Sequence, residues 1–233
     1  TDGVVFTPNI DHFVKCQSNK DFYDVYKKAD WVLCDSRVVF FLSRLLKNHI
    51  VESIPGSSFF TSYYTYHAND PLCSIFLLGA AEGVAEKAKN RINTKVGREI
   101  IVGTYSPKYG FETNNEENDK IITLVNKSGA NVLVVGLGCP KQEIWIMNHR
   151  EQMANVRIFM GLGATIDFEA GNITRAPVFL RKIGFEWLFR LILEPNRMFK
   201  RYFIDDLQFF ILFGKQLTKK YKNPFTNIVK KEL

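Results

Sequence analysis

The chain has 233 residues, of which 46% are hydrophobic, and carries a formal net charge of +7. This length fits one α/β domain with an appendage and supplies ample apolar material for a core. The sequence shows no signal peptide and no apolar run of about 20 residues, so we expect nothing to span a membrane. The four cysteines have no metal-type spacing, which favours free thiols in a reducing cytoplasm.

The positive charge is concentrated at the C-terminal end. Residues 181–233 contain twelve Lys or Arg and five Asp or Glu, so the remainder of the chain is neutral overall. Such an asymmetry predicts an anionic surface as the partner of this segment, either lipid headgroups or nucleic acid. The many Leu, Ile and Phe residues of the segment favour lipid, because nucleic-acid-binding arms are less rich in them.

Apolar runs alternate with helical patterns along most of the chain. Strands are predicted at residues 4–7, 31–34, 74–78, 99–104, 132–136 and 156–160. Helices between them are predicted at residues 21–29, 82–93, 116–128 and 142–152. This alternation predicts a Rossmann-like α/β fold, with a mostly parallel sheet and helices on both of its faces.

The pattern changes at about Phe185, where many aromatic residues are mixed with Arg and Lys. Pro195 interrupts this stretch, so we predict two or more amphipathic helices rather than one. We therefore divide the chain into a Rossmann-like core, residues 1–184, and a basic, aromatic-rich helical appendage for membrane association, residues 185–233.

Several predicted strands end in glycine-containing loops, namely LLGAAEG, IVGTYSPKYG, VGLGCP and MGLGATID. In open α/β sheets, ligands bind outside the carboxyl ends of the strands, where such loops gather. Gly79 lies in the first loop, and the helix that opens after it at Glu82 could hold an anion such as a pyrophosphate. Ordinary turn glycines explain the same pattern equally well.

The loop that contains Gly136 and Gly138 is followed by three polar residues, Lys141, Gln142 and Glu143. At the end of a strand, such side chains converge with backbone N–H groups on a ligand. The alternative is that Lys141 and Glu143 are solvated residues of the first helical turn, which is the commoner situation for charged residues.

The stretch DWVLCDSRVVFFLSRLL contains the best candidate for chemistry. Asp35 follows the predicted strand 31–34, where a carboxylate partly enclosed by aromatic residues is a plausible general base. An N-cap for the helix that begins at about Arg37 explains this aspartate equally well. In TPNIDHF, Asn9 and Asp11 are likewise candidate helix caps.

Taken together and in order, the motifs resemble one family, the WecG/TagA/CpsF glycosyltransferases. The resemblance spans roughly residues 5–202 and rests on TPNIDH, ADWVLCDS, FLLGAAEGVAEKA, IVGTYSPKYG, VVGLGCPKQEIWI and GLGATIDFEAGNITRAPVFLRKIGFEWLFRLILEPNRMFKRY. It implies an inverting enzyme that moves a hexose-type sugar, typically N-acetylmannosamine, from its UDP form to a polyprenyl-diphosphate-linked sugar. Such enzymes act at the cytoplasmic membrane face in wall teichoic acid, common antigen or exopolysaccharide synthesis.

The resemblance also implies roles for individual residues. It places the catalytic aspartate at Asp35. With the glycine loops, it predicts a donor site formed by Thr7, Asn9, Gly79, Gly136, Gly138, Lys141, Gln142 and Glu143. The diphosphate of the acceptor is expected to meet Arg175, Arg190, Arg197 and Arg201.

The chain departs from the family pattern in two loops. It has Cys34, Asp35 and Ser36 where the family reads Pro-Asp-Gly, and SIPGSS at residues 53–58 where the family reads Arg-Val-x-Gly-x-Asp. UDP-glucose is therefore an alternative donor. A non-catalytic nucleotide-binding or membrane-binding module is a second alternative, which Asp35 disfavours because a binder needs no carboxylate at that strand end.

We expect neither a metal nor a cofactor. No Asp-x-Asp lies in a suitable loop, and Asp167 and Glu169 are isolated acids, so a metal-dependent sugar-nucleotide site is unsupported. The expected partners are a UDP-sugar, a polyprenyl-diphosphate-linked acceptor and an anionic membrane surface, not nucleic acid. The sequence leaves open whether the chain forms a homo-oligomer.

Overall fold

The structure is a computed structural model that describes residues 2–226, except for the side chains of Lys182 and Arg197. One parallel sheet contains six strands in the order β2-β1-β6-β5-β3-β4. The strands are β1 (Gly3–Phe6), β2 (Trp31–Val32), β3 (Ile75–Gly79), β4 (Ile101–Tyr105), β5 (Val132–Gly136) and β6 (Ile158–Gly161). The six predicted strands and the parallel sheet are therefore confirmed.

The described residues also form twelve α-helices. In the first half they are α1 (Ile10–Lys15), α2 (Lys20–Lys27), α3 (Arg37–Ser43), α4 (Gly56–Tyr66), α5 (Val84–Val96) and α6 (Asn115–Ser128). Then follow α7 (Lys141–His149), α8 (Thr165–Ala170), α9 (Val178–Ile183), α10 (Glu186–Leu193), α11 (Pro195–Lys200) and α12 (Leu207–Leu217). The four predicted helices of the core correspond to α2, α5, α6 and α7, and the predicted break at Pro195 separates α10 from α11.

Helix α5 begins two residues later than its sequence pattern predicts. Gly83 precedes it with a φ of +78°, in the left-handed region, and the helix starts at Val84. The prediction that the helix opens with Glu82 was wrong, because a glycine in this conformation makes the turn that separates β3 from α5. Glu82 lies in that turn.

The sheet is buried on both faces, as a parallel sheet requires. On one face, Ile75 and Leu77 of β3 pack with Phe60, Ala88 and Ile166, which come from α4, α5 and α8. Successive strand residues point to opposite faces, so the residues that alternate with Ile75 and Leu77 face the other side. There α6 and α7 provide the crossovers to β5 and β6.

The chain divides into two compact units. The first contains the whole sheet and comprises the segment up to Thr7, Lys28–Leu33 and Pro55–Thr174. The second comprises Pro8–Lys27, Cys34–Ile54 and the chain from Arg175 onward. The predicted boundary at residue 184 divides the chain at a single point, whereas each compact unit combines several separate segments. That boundary stays a prediction.

Within the second unit, the C-terminal segment packs against the N-terminal helices. The rings of Phe13 and Phe209 lie 5.8 Å apart. The hydroxyl of Tyr221 donates to Gln17 Oε1 at 3.0 Å. Helix α12 therefore packs against α1, and the chain after α12 reaches α2, where Asn223 Nδ2 donates to the Tyr23 hydroxyl at 2.6 Å. In residues 2–226, no helix combines the length and the apolar character that crossing a bilayer demands.

The contact between the ends of β3 and β5 yields a prediction about stability. Gly79 has a φ of +118°, and a Cβ there would lie 2.4 Å from the Gly136 carbonyl oxygen. We expect Gly79→Ala to lower the free energy of unfolding by more than about 2 kcal/mol in urea titrations. Gly83→Ala is the matched control, because Gly83 also has a positive φ but has no atom within 4 Å of its Cβ position. Equal losses in both variants would show that the close approach is not the cause.

Candidate active site

The loops that follow β3 and β5 lie side by side where the strand order reverses. β3 leads through α5 to β4, while β5 lies on the other side of β3 and leads through α7 to β6. Gly79 and Gly136 are paired in the register of the two strands. Crevices at such switch points, outside the carboxyl ends of parallel strands, are the usual ligand sites of open α/β sheets. The structure thus brings two of the predicted donor loops together.

The walls of this crevice are made of backbone. The Ala80 N–H donates to the Gly136 carbonyl at 3.1 Å, and Ala80 itself has a positive φ of 59°. A Cβ on Gly136 would come within 2.7 Å of the Gly163 carbonyl oxygen. The hydroxyl of Ser106 donates to the Gly79 carbonyl at 3.0 Å. Four loops therefore meet here, chiefly through main-chain atoms and through the Ser106 hydroxyl.

Gln142 fastens the start of α7 to the loop after β6. Its side chain is 2% exposed, and its Oε1 accepts from the Gly163 N–H at 3.0 Å. Its Nε2 donates to Glu143 Oε1 at 2.8 Å, and Glu143 is fully buried. For Glu143, the alternative of a solvated first-turn residue is therefore wrong. Both side chains help to hold the shape of the crevice.

Lys141 is held as a cation beside the same loop. It forms an ion pair with Glu112, and its Nζ lies 3.9 Å from the centroid of the Tyr109 ring. The Glu112 carboxylate raises the pKa of Lys141, and Lys141 in turn lowers the pKa of Glu112. An anionic ligand that reached Lys141 would therefore compete with Glu112.

Thr7, the predicted donor contact at the end of β1, is packed inside the first unit. Its Oγ1 lies 3.5 Å from the Gly161 carbonyl oxygen, to which it donates. A Cβ on Gly56, the first residue of α4, would come within 2.9 Å of that hydroxyl oxygen. Thr7 therefore lies where β1, β6 and α4 come together.

In the second unit, Asp35 is not the cap of the helix that follows it. The N-cap of α3 is Ser36, whose Oγ accepts from the Val39 N–H at 3.3 Å. The Asp35 N–H donates to the Pro8 carbonyl at 3.1 Å, which fixes the main chain next to this half-buried carboxylate. The capping explanation for Asp35 is therefore wrong. The neighbouring Cys34 thiol has a raised pKa, chiefly because it is buried.

Asn9, in contrast, is a helix cap, as its alternative interpretation predicted. Its side chain accepts from the Asp11 N–H at 3.1 Å, and its Oδ1 lies 2.9 Å from His12 Nδ1. The same oxygen also accepts from Arg201 Nη2 at 3.1 Å. Arg201, which we expected at the acceptor diphosphate, is thus bonded to a residue that we expected at the donor.

The other predicted arginines lie in the second unit as well. Arg190 and Arg201 both lie near Tyr202: burial raises the pKa of this tyrosine, and the two guanidinium charges oppose that rise. Both cations therefore act electrostatically on the same tyrosine. Arg175 is half-buried just before α9, and the side chain of Arg197 lies outside the described residues.

Sequence reasoning missed several residues that shape the first unit. Ala80, Ser106 and Gly163 lie in loops whose glycines had been noticed, but only the pairing of the strands shows that they line one crevice. Glu169 was described as an isolated acid, and the structure corrects this. Its carboxylate accepts from the Thr61 hydroxyl at 2.6 Å and from the Tyr64 hydroxyl at 3.0 Å.

Comparison with known proteins gives a match over nearly the whole chain. The model of the Glycosyl transferase WecG/TagA/CpsF family matches residues 1–223. The N-acetylglucosaminyldiphosphoundecaprenol N-acetyl-beta-D-mannosaminyltransferase of Bacillus subtilis (strain 168) is 29% identical over 195 residues, which cover 84% of this chain and 73% of that protein. The protein of the same name from Staphylococcus aureus (strain MRSA252) is 26% identical over 206 residues, or 88% of this chain and 78% of that protein.

Proposed function

We propose, since this chain belongs to the WecG/TagA/CpsF family of glycosyl transferases, that it transfers N-acetylmannosamine from a UDP-sugar to a polyprenyl-diphosphate-linked sugar. The two relatives are named for transfer of N-acetyl-β-D-mannosamine to N-acetylglucosaminyldiphosphoundecaprenol. The proposal extends that chemistry to this chain, with inversion at the anomeric carbon and without a metal ion.

The switch-point crevice between β3 and β5 is the observation that carries the proposal. The ends of β3 and β5 meet through their backbones at Gly79 and Gly136, so the two loops that follow them begin side by side. Backbone N–H groups and the N-terminal end of α5 supply the positive partial charge that a diphosphate needs. In a transfer without a metal, the same groups stabilise the negative charge that develops on the departing UDP.

We assign the general base to Asp35. Its carboxylate removes the proton from the acceptor hydroxyl while that oxygen forms a bond to the anomeric carbon of the donor. The bond between the anomeric carbon and the β-phosphate oxygen breaks in the same displacement, and its electron pair leaves with UDP. Asp35 suits this role because Ser36 provides the helix cap and the Asp35 main chain is bonded to Pro8.

Arginines of the second unit are proposed to bind the diphosphate of the acceptor. Arg190 and Arg201 both act electrostatically on Tyr202, and guanidinium groups match the charge of a diphosphate and can donate two hydrogen bonds to it. Arg175 and Arg197 complete the proposed set. Lys141 and Gln142 are proposed to bind the donor, and Lys141 would have to exchange its Glu112 partner for a phosphate.

UDP-glucose remains a second candidate donor, because SIPGSS lacks the arginine and the aspartate of the family pattern. Incubation with a panel of UDP-sugars and a short-chain polyprenyl-diphosphate acceptor, followed by mass spectrometry, tests both candidates. We expect a product from UDP-N-acetylmannosamine whose yield is unchanged by EDTA. A product from UDP-glucose alone would favour the second donor, and activity lost to EDTA and restored by Mg²⁺ would reveal a metal site. No product from any donor would favour a non-catalytic binding module.

The assignment of Asp35 predicts the effect of one substitution. Asp35→Asn should lower kcat by about 10²- to 10⁴-fold, the usual contribution of a general base, while donor affinity and the unfolding transition stay near wild type. Ser36→Ala is the contrasting variant, because loss of the true cap should cost about 1 kcal/mol of stability and change kcat little. Near-wild-type turnover of Asp35→Asn would remove Asp35 from the mechanism.

We further propose that the second unit binds the cytoplasmic face of the membrane peripherally. Its C-terminal helices expose large apolar side chains, among them Phe179, Ile192, Phe203, Phe210 and Ile211. The same part of the chain carries the whole positive excess. Exposed apolar residues beside Lys and Arg are typical of surfaces that lie in the headgroup region of anionic membranes.

The membrane proposal can be tested without truncating the chain. Ile192 and Ile211 are 70% and 58% exposed, so the double change Ile192→Ser/Ile211→Ser should leave the fold intact. We expect it to reduce co-sedimentation with anionic phospholipid vesicles by roughly tenfold, since buried apolar area drives such binding. The matched control changes Tyr66 and Leu72 of the first unit, 85% and 78% exposed, to Ser. The proposal would be contradicted if both double variants reduced co-sedimentation equally. It would also be contradicted if vesicle binding by the wild type did not change with salt concentration.

A further inference from the structure

Asp206 is a buried carboxylate in the C-terminal segment. It follows a π-helical turn, Arg201–Asp205, and precedes α12. The residue is only 3% exposed, and its N–H donates to the Arg201 carbonyl at 2.8 Å. Its Oδ1 makes no hydrogen bond to any of residues 2–226. Burial of a carboxylate with so few hydrogen bonds destabilises the fold, which suggests that Asp206 has a functional role.

Asp206 lies against one end of the Arg201 side chain. Its Oδ2 is 3.9 Å from Arg201 Nε. The other end of the guanidinium, Nη2, donates to Asn9 Oδ1 at 3.1 Å. Arg201 therefore bridges a buried acid of the C-terminal segment and the first polar residue of the TPNIDH motif, within the second unit.

We propose that Asp206 is a positioning residue for the transfer reaction, which acts through Arg201 to fix the side chain of Asn9. The inference rests on the proposed function, to which it adds Asn9 as a donor contact, the role that the family resemblance predicts for this residue. The carboxylate of Asp206 orients the guanidinium, and the guanidinium holds the amide oxygen of Asn9 at the start of α1. The C-terminal segment thus organises the TPNIDH motif, in addition to its proposed membrane role.

The charges around Asp206 make its attraction for Arg201 sensitive to pH. Burial raises the pKa of Asp206 to about 6, against the attraction of Arg201. Asp11 on α1 and Asp205 on the π-helical turn also raise the pKa, whereas Lys15 on α1 lowers it. His12 of α1 faces Asn9, and Tyr202 belongs to the same turn as Arg201. Above a pH of about 6 the carboxylate is charged and attracts Arg201, and below it this attraction is lost.

As pH rises through about 6, the stability of the fold should therefore fall while the affinity for the donor rises. The pKa of Asp206 is raised in the folded state, so the native structure favours the neutral acid, and the stability that this gives is lost as pH rises through about 6. At pH 7.5 a neutral Asn at this position should melt at no lower temperature than wild type. A buried acid whose ionisation lowers the stability of the fold is typical of residues that have a functional role.

The experiment measures donor KM and kcat from pH 5 to 8, with UDP-N-acetylmannosamine and a water-soluble short-chain acceptor. We expect wild-type donor KM to rise as pH falls through about 6. Asp206→Asn should have a KM raised about tenfold at pH 7.5, as expected for loss of one charge-assisted contact, with no inflection near this pKa. Asp206→Glu should restore part of the loss. Asp205→Asn is the matched control, since Asp205 is the exposed neighbouring acid. It should keep the wild-type KM at pH 7.5 and retain the inflection, displaced to lower pH because Asp205 raises the pKa of Asp206.

A second measurement does not depend on turnover. The ¹⁵N shift of Arg201 Nε, assigned by its loss in Arg201→Lys, should titrate with a midpoint near 6 in wild type. The titration should persist at a lower midpoint in Asp205→Asn and be absent in Asp206→Asn. If the wild-type titration is absent, or if Asp206→Asn keeps the wild-type KM profile, the inference is overturned. If the titration is present but no UDP-sugar is turned over, the proposed transfer reaction fails while the link from Asp206 to Arg201 stands.

Discussion

The close approach of two backbones, at Gly79 and Gly136, is the constraint on which the first unit depends. Their pairing joins the carboxyl ends of β3 and β5, and the Ala80 N–H extends the contact to the Gly136 carbonyl. Any side chain at either position would meet main-chain atoms of the neighbouring loop. The two strand ends can therefore approach this closely only because glycine carries hydrogen where other residues carry a Cβ.

The polar side chains near the ends of β5 and β6 form hydrogen bonds and ion pairs that hold the neighbouring loops in place. Gln142 is bonded to the Gly163 N–H and to Glu143, so much of its hydrogen-bonding capacity is used within the protein. Lys141 is neutralised by Glu112. Preorganised polar groups lower the reorganisation that a reaction demands, because their orientation is already set before substrate arrives. The polar side chains that follow β5 are accordingly held in place by contacts within the protein.

The second unit combines exposed apolar side chains with a buried set of polar contacts. Its outer helices expose Ile192 and Ile211, which suits the headgroup region of a bilayer. Inside, a short polar chain connects Asp206, Arg201 and Asn9. Burial of Asp206 disfavours its charged form, whereas the attraction for Arg201 needs that form. The balance between the two falls near the physiological range, which is where a polar chain of this kind can influence a reaction.

The sequence by itself determined the parallel α/β sheet, four core helices, the break at Pro195 and the basic C-terminal segment, because period, turn residues and charge are local properties. It also located the glycine loops. Only the tertiary structure decided that Ser36 rather than Asp35 caps α3, since both residues can accept the same N–H. It alone buried Gln142 and joined Arg201 to Asn9, which lie 192 positions apart. Burial and partner choice depend on which distant elements cover a side chain, and no local pattern records that.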